Sequence, residues 1–162
     1  MTNPVSSLSP FTTVAIELLH LDKTSMDWWA DLVHEYRQSL GLASNIHEVR
    51  HFVFTRMTLE DSLVYIAADE QEPMGFIQLY PSFSTAQLES MWYLHDIYVR
   101  PTHRQKGVAK LLLARAIDFA RERGDCAICI PVQPNNQEAI SLCQAAGFHI
   151  DSTMTHYSLS LI

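Results

Sequence analysis

The stretch Arg104-Gln105-Lys106-Gly107-Val108-Ala109 decides how this chain is read. It follows a strand-like run, Tyr93 to Arg100, and opens a helix-like run, Gly107 to Arg123. A loop at such a junction aims several backbone N–H groups at one point. The first-turn N–H groups have no acceptor inside the helix and the helix dipole favours negative charge, so the stretch predicts an anion site suited to phosphate. Gly107 has no Cβ and lets a bulky anion approach the backbone. Arg104 and Lys106 add positive charge beside it.

Two phosphate loops are excluded. The chain has no G-x-x-x-x-G-K-S/T and no G-x-G-x-x-G, so neither the P-loop nor the dinucleotide fingerprint applies. The pattern present is R-x-x-G-x-A between a strand and a helix. Upstream stands YLHDIYVRPTHR (residues 93–104), and downstream NNQEAISLCQAAGF (residues 135–148). In that order the three segments resemble the GNAT superfamily of N-acetyltransferases, whose pyrophosphate loop reads Q/R-x-x-G-x-G/A. The resemblance runs from about Met74 to Phe148 and is weak before residue 60.

The resemblance implies an α/β fold: a mixed sheet of six to seven strands with helices on both faces, residues 11–162 forming one domain. It also implies acetyl transfer from acetyl-CoA to a primary amine by direct attack in a ternary complex. Ile97 and Val99 match the backbone groups that pair with the pantetheine arm as a strand pairs with an edge. The N–H of Ile97 or Tyr98 is the expected donor to the thioester oxygen. Arg104, Gln105, Lys106, Gly107, Val108, Ala109 and Lys110 match the pyrophosphate loop, and Asn136 matches an asparagine on the pantetheine side. Pro131 falls in the strand that splays from the central one in this fold, where a missing N–H costs little.

An alkyl amine has a pKa near ~10.4, so its free base at pH 7 costs roughly 4–5 kcal/mol. His95 and Asp96 on the central strand are the candidates to take that proton. Regular alternation points them to opposite faces, so only one is expected to face the substrate. The family's usual helix tyrosine, which protonates the leaving thiolate, is replaced by Cys143. With a leaving thiol of pKa ~8.5, that assistance is worth at most ~2 kcal/mol, so the thiol either serves as the acid or is not needed. The acceptor channel of this fold places Trp29, Tyr36, Tyr80 and Glu89 within reach, with Glu35 and Glu48 suited to a cationic amine. The acceptor is a small or amino-acid-like amine, or else a protein lysine or N-terminus; a non-catalytic acetyl-CoA-binding module is the third possibility.

Composition narrows the field. The 162 residues carry a formal net charge of −7, which argues against nucleic acid and suits a cationic partner. No apolar run approaches the ~20 residues of a bilayer span, so no membrane role is expected. The first residues lack a basic-then-apolar signal pattern, which predicts a cytoplasmic protein. Residues 1–10 are polar, with two prolines, and read as a loose leader.

Two other motifs compete. Cys126 and Cys129 spell C-x-x-C, but no second pair accompanies them, and residues 127–130 read as a buried strand in which cysteine is a small apolar residue. His47-Glu48-Val49-Arg50-His51 spells H-E-x-x-H, a zinc signature that also requires a third ligand; the spacing names none. The favoured reading implies no metal.

Periodicity supplies the remaining elements. Strands are expected over 12–21, 63–68, 74–80, 91–100 and 126–132, and helices over 25–40, 46–59, 107–123 and 137–146. Tyr157, Leu159 and Leu161 alternate with serines and predict a half-buried last strand, a candidate edge for homodimerisation.

Overall fold

The computed structural model describes residues 15–18, 23–69, 72–152 and 157–161. The chain divides after Pro131 into two compact units. The first holds β1 (Ala15–Leu18), α1 (Lys23–Ser39), α2 (Ile46–Leu59), β2 (Leu63–Ala68), β3 (Pro73–Ser84), β4 (Glu89–Val99), a short 3-10 turn (Pro101–His103), α3 (Val108–Arg123) and β5 (Ala127–Cys129). The second holds α4 (Gln137–Ala145). Among the described residues no helix is long and apolar enough to cross a membrane.

The sheet runs β1-β2-β3-β4-β5. The first four strands pair antiparallel, and β5 lies parallel to β4. A parallel return needs a crossover, and α3 supplies it. Five strands are therefore present among the described residues, fewer than the six to seven expected. Residues 157–161 form no strand, and Tyr157, Leu159 and Leu161 are exposed. Alternation fixes which side chains share a face, but a strand also needs a neighbour to complete its ladder. The proposed dimer edge thus lacks its strand.

Two helices cover one face. Trp29, Leu32 and Val33 of α1 and Val49 and Val53 of α2 are buried against Val64, Ile66, Phe76 and Tyr98. Asn45 starts α2 by accepting the His47 N–H at 2.9 Å, and Glu60 ends it in the left-handed region. The other face is covered by α3, whose buried stripe is Val108, Leu112, Leu113, Ala116 and Ala120. Phe119 of that helix meets Tyr65 and Trp92 edge-on at 6.3 and 5.4 Å.

The register of β3 against β4 contains one irregularity, and it organises the site. Gln78 pairs with Asp96 while Leu79 pairs with Leu94, so His95 is an extra residue, a β-bulge. Before it, Trp92 faces α3. After it, Tyr98 faces α1, with Tyr36 at 5.7 Å. The bulge has moved even-numbered side chains from one face to the other. Gly75 opposite Val99 permits the close pairing, since a Cβ there would lie 2.5 Å from the Tyr98 carbonyl oxygen.

Asp125 ties the α3–β5 connection to β4. Its carboxylate accepts from the Ser90 hydroxyl, from the Trp92 indole N–H at 2.8 Å and from Arg123 Nε at 3.1 Å. Burial pushes its pKa up, but these donors outweigh burial and hold it below the usual carboxylate range. A folded pKa below the unfolded one means stability that is present above the unfolded value and lost as pH falls through the folded one. An Asp125→Ala variant is expected to lose about 2–3 kcal/mol at pH 7, read as a melting point lower by roughly 5–10 °C, and the deficit should shrink below about pH 4. An unchanged melting point at pH 7 would refute this.

The cysteines of the C-x-x-C are not joined in a disulfide. Cys129 is half-buried in β5, whereas Cys126 is exposed at its start and contacts Gln87, so the expected burial holds only in part.

Candidate active site

The bulge sets one side of the candidate site. Regular alternation would have sent His95 and Asp96 to opposite faces; instead both lie on the α1–α2 face. The His95 ring meets Tyr80 edge-on at 5.3 Å, and Tyr80 shares a hydrogen bond of 3.0 Å with Gln78, the cross-strand partner of Asp96. Asp96 in turn interacts with Tyr36 of α1. Asp96, His95, Tyr36 and Tyr80 are therefore gathered in one place.

Burial pushes the Asp96 carboxyl above its ordinary value; the Tyr36 hydrogen bond and neighbouring His95 oppose this. Tyr36 is pushed up to about 12 by burial, by the Asp96 charge and by their shared hydrogen bond. Tyr80 is also raised, by burial first and then by Asp96. Both phenols stay protonated at neutral pH.

The open edge of β4 forms the other side. Its ladder with β5 runs only from Met91↔Ala127 to Tyr93↔Cys129 and stops before Pro131. Beyond Tyr93, β4 has no strand partner on that side among the described residues. The Arg100 N–H donates to Met74 of β3. Successive residues of a strand direct their backbone groups to alternate sides, so the Tyr98 N–H faces β3 while those of Ile97 and Val99 face the open side. Of the two donors considered for a thioester oxygen, only Ile97 points outward. The Val99 carbonyl, on the same side, accepts from Arg104 Nε at 3.0 Å.

The Arg104–Gly107 loop continues this edge. Gln105 (φ 57°) and Gly107 (φ 82°) are left-handed, a conformation that turns successive backbone N–H groups into a common concavity. In α3, Leu111 donates to the Gly107 carbonyl at 3.0 Å, so the N–H groups of Val108, Ala109 and Lys110 precede the first intrahelical bond. A Cβ at Gly107 would have nothing within 4 Å. The space in front of the loop is open, and Lys106 and Lys110 are exposed beside it.

Several expected residues lie elsewhere. Trp29 is 1% exposed and belongs to the core under α1, so it lines no accessible surface. Glu89 begins β4, seven residues from Asp96, roughly 23 Å along an extended strand. Glu35 is committed to Arg100, which donates to it at 3.0 and 2.8 Å, and is not available to a cationic substrate. His47, Glu48 and His51 are exposed on α2. Among the described residues no three His, Cys, Asp or Glu side chains form a group able to hold a metal.

In the second unit, Asn136 caps α4, its side chain accepting the Ala139 N–H at 3.0 Å. Cys143 is half-buried, and burial pushes its thiol up, so it remains protonated at neutral pH.

Sequence reasoning missed Gln78, the buried polar side chain opposite Asp96. Its signal was a single amide in the apolar run 74–79. Arg100 was missed as well.

The central strand, with one open edge, runs into a left-handed loop at the start of a helix. Residues 27–148 match the Acetyltransferase (GNAT) family, and the chain belongs to that family. It is 32% identical over 132 residues to an uncharacterized N-acetyltransferase, YhfO, of Bacillus subtilis, covering 82% of this chain and 89% of that one. The crystal structure of a probable acetyltransferase superposes with a TM-score of 0.85 at 32% identity, covering 91% of this chain and 98% of the other. A shorter match, 37% identical over 60 residues, links it to the L-amino acid N-acyltransferase MnaT of Escherichia coli, covering 37% of this chain and 35% of that protein. The family generally uses acetyl-CoA.

Proposed function

We propose that this protein transfers the acetyl group of acetyl-CoA to a primary amine of a small, amino-acid-like molecule. The observation that carries the reading is the bulge at His95, which sets Asp96 among His95, Tyr80 and Tyr36 on a strand whose other edge is open. A carboxylate walled by aromatic rings suits an alkylammonium ion, through charge and through the ring faces. The amino-acid substrate named for the Escherichia coli relative supports this choice of acceptor.

Acetyl-CoA fits the residues present. The loop from Arg104 to Lys110 would hold the pyrophosphate, and the outward backbone groups of Ile97 and Val99 would pair with the pantetheine arm. The coenzyme supplies an activated acetyl thioester. Asp96 binds the ammonium and takes its proton directly or through His95 and water, which exposes the nitrogen lone pair for attack. The Ile97 N–H donates to the oxygen on which negative charge develops. The position where the family usually has tyrosine carries Cys143, a thiol that stays protonated at neutral pH.

The test is a panel of primary amines assayed with acetyl-CoA by thiol release. Turnover is expected with α-amino acids or simple alkylamines, and none with amides. Because the helix tyrosine is replaced, a second reading stands: a module that binds acetyl-CoA without catalysis. Micromolar coenzyme binding with no turnover on any small amine or lysine peptide would favour that module and overturn the first reading.

A further inference from the structure

We propose that Gln78 is a positioning residue: it fixes the direction of the Tyr80 hydroxyl, whose proton then selects an α-amino acid by the carboxylate beside its amine. The inference rests on the acetyltransferase reading for its functional meaning and deepens it by naming the substrate class.

Gln78 is the single amide in the apolar run 74–79 and is 2% exposed. A buried amide costs stability unless it is hydrogen-bonded. Its Nε2 group carries two hydrogens, and two oxygens accept from it: Ser62 Oγ, just before β2, and Tyr80 Oη, each at 3.0 Å. Bonded on both sides, the amide is not free to rotate. The Tyr80 ring is held in turn, edge-on to His95 at 5.3 Å. A phenol O–H lies in the plane of its ring, and one in-plane side of the Tyr80 oxygen is taken by the Gln78 N–H. The phenol proton therefore points away from the amide. Among the described residues no group accepts it. Tyr80 is half-buried whereas Gln78 is sealed, so the proton is left for a molecule that enters the site.

Asp96 stands beside the same amide. It pairs with Gln78 across the ladder, which sets their Cβ atoms roughly 5 Å apart. A carboxylate suited to a cation and a hydroxyl suited to an oxygen acceptor thus border one buried side chain. An α-amino acid presents both partners on a single carbon. A simple alkylamine satisfies Asp96 alone and leaves the Tyr80 proton to water.

The experiment compares α-amino acids with the amines left when their carboxyl groups are removed: alanine with ethylamine, leucine with isoamylamine, phenylalanine with phenethylamine. Each is titrated calorimetrically into the protein with free coenzyme A present, so the comparison needs no turnover. In the pair that binds best, wild type is expected to prefer the amino acid about tenfold, the value of one hydrogen bond to a charged group. Tyr80→Phe keeps the ring and should lose that preference. Gln78→Met is close in volume, lets the hydroxyl turn and should lose roughly threefold of it. The double variant should match Tyr80→Phe, because Gln78 acts only through the hydroxyl. A merely structural role for either side chain would weaken both members of a pair alike and leave their ratio unchanged. Nitrogen-15 NMR of the Gln78 side-chain amide, assigned by its loss in Gln78→Met, checks the geometry: one of its two protons should shift in Tyr80→Phe. The proposal is overturned if no amino acid binds, if wild type and Tyr80→Phe share one ratio, if a Gln78→Met effect persists without the hydroxyl, or if neither amide proton moves. The amine panel decides the acetyltransferase reading separately: turnover of amines without any preference for the carboxylate would sustain that reading and overturn this inference.

Discussion

Acetyl-CoA binding is expected to fall at least 100-fold in a Gly107→Asp variant. Gly107 sits at φ 82°, where an L residue costs about 1–3 kcal/mol. The new carboxylate would occupy the open space in front of the loop, where the first-turn N–H groups of α3 converge. It would compete for those donors and repel the pyrophosphate. Two such effects together exceed the ~2.7 kcal/mol that a 100-fold loss requires. Isothermal titration of wild type and variant measures it, with micromolar binding expected for the wild type. A Cβ there would meet nothing within 4 Å, so the fold should survive, with a melting point lower by the several degrees that the backbone strain costs. Equal affinity in the two proteins would remove the loop from the coenzyme site. No binding by the wild type would remove the acetyl-CoA assignment itself.

The second large effect is at Asp96. Asp96→Asn keeps the volume, but it can neither pair with an ammonium nor take a proton. A general base of this kind contributes roughly 10²- to 10⁴-fold, so kcat/KM should fall by that much. The same change should raise the melting point at pH 7. Asp96 has a folded pKa above its unfolded one, so its contribution is most favourable below the unfolded pKa and is lost as pH rises through the folded value. At neutral pH the wild type bears the cost of a half-buried charge, and the variant does not. The melting-point gap should close as pH approaches 4. Activity within threefold of wild type would assign the proton transfer elsewhere, with His95 the next residue to test.

Local signals made much of the fold legible. The helix read over 46–59 and the strand read over 63–68 match α2 and β2 at both ends. The phosphate-loop reading of Arg104 to Ala109 falls on a left-handed turn at the start of α3. The acceptor side was harder to read, because a bulge is defined by its partner strand. Nothing in residues 93–99 says that Leu79 will skip His95 and pair with Leu94. Helical spacing put Trp29 and Tyr36 on the same helix, but only the packing of α1 on the sheet decides that Trp29 is sealed and Tyr36 reaches Asp96. Glu35 and Arg100 stand 65 residues apart, and their pairing depends on tertiary contact that periodicity does not carry. At the other end, Tyr157 to Leu161 shows the limit of alternation, which identifies a face and not a neighbour.

The bulge also has a consequence for how this protein can vary over time. His95 is the residue the ladder leaves over, since Leu79 pairs with Leu94 and Gln78 with Asp96 on either side of it. Delete it, and the ladder closes with Asp96 and Tyr98 still turned toward α1; what disappears is the second side chain beside Asp96 on that face. A lineage can exchange the histidine for another residue, or drop it, without turning the rest of β4 over. The position is therefore free to explore new proton chemistry beside Asp96.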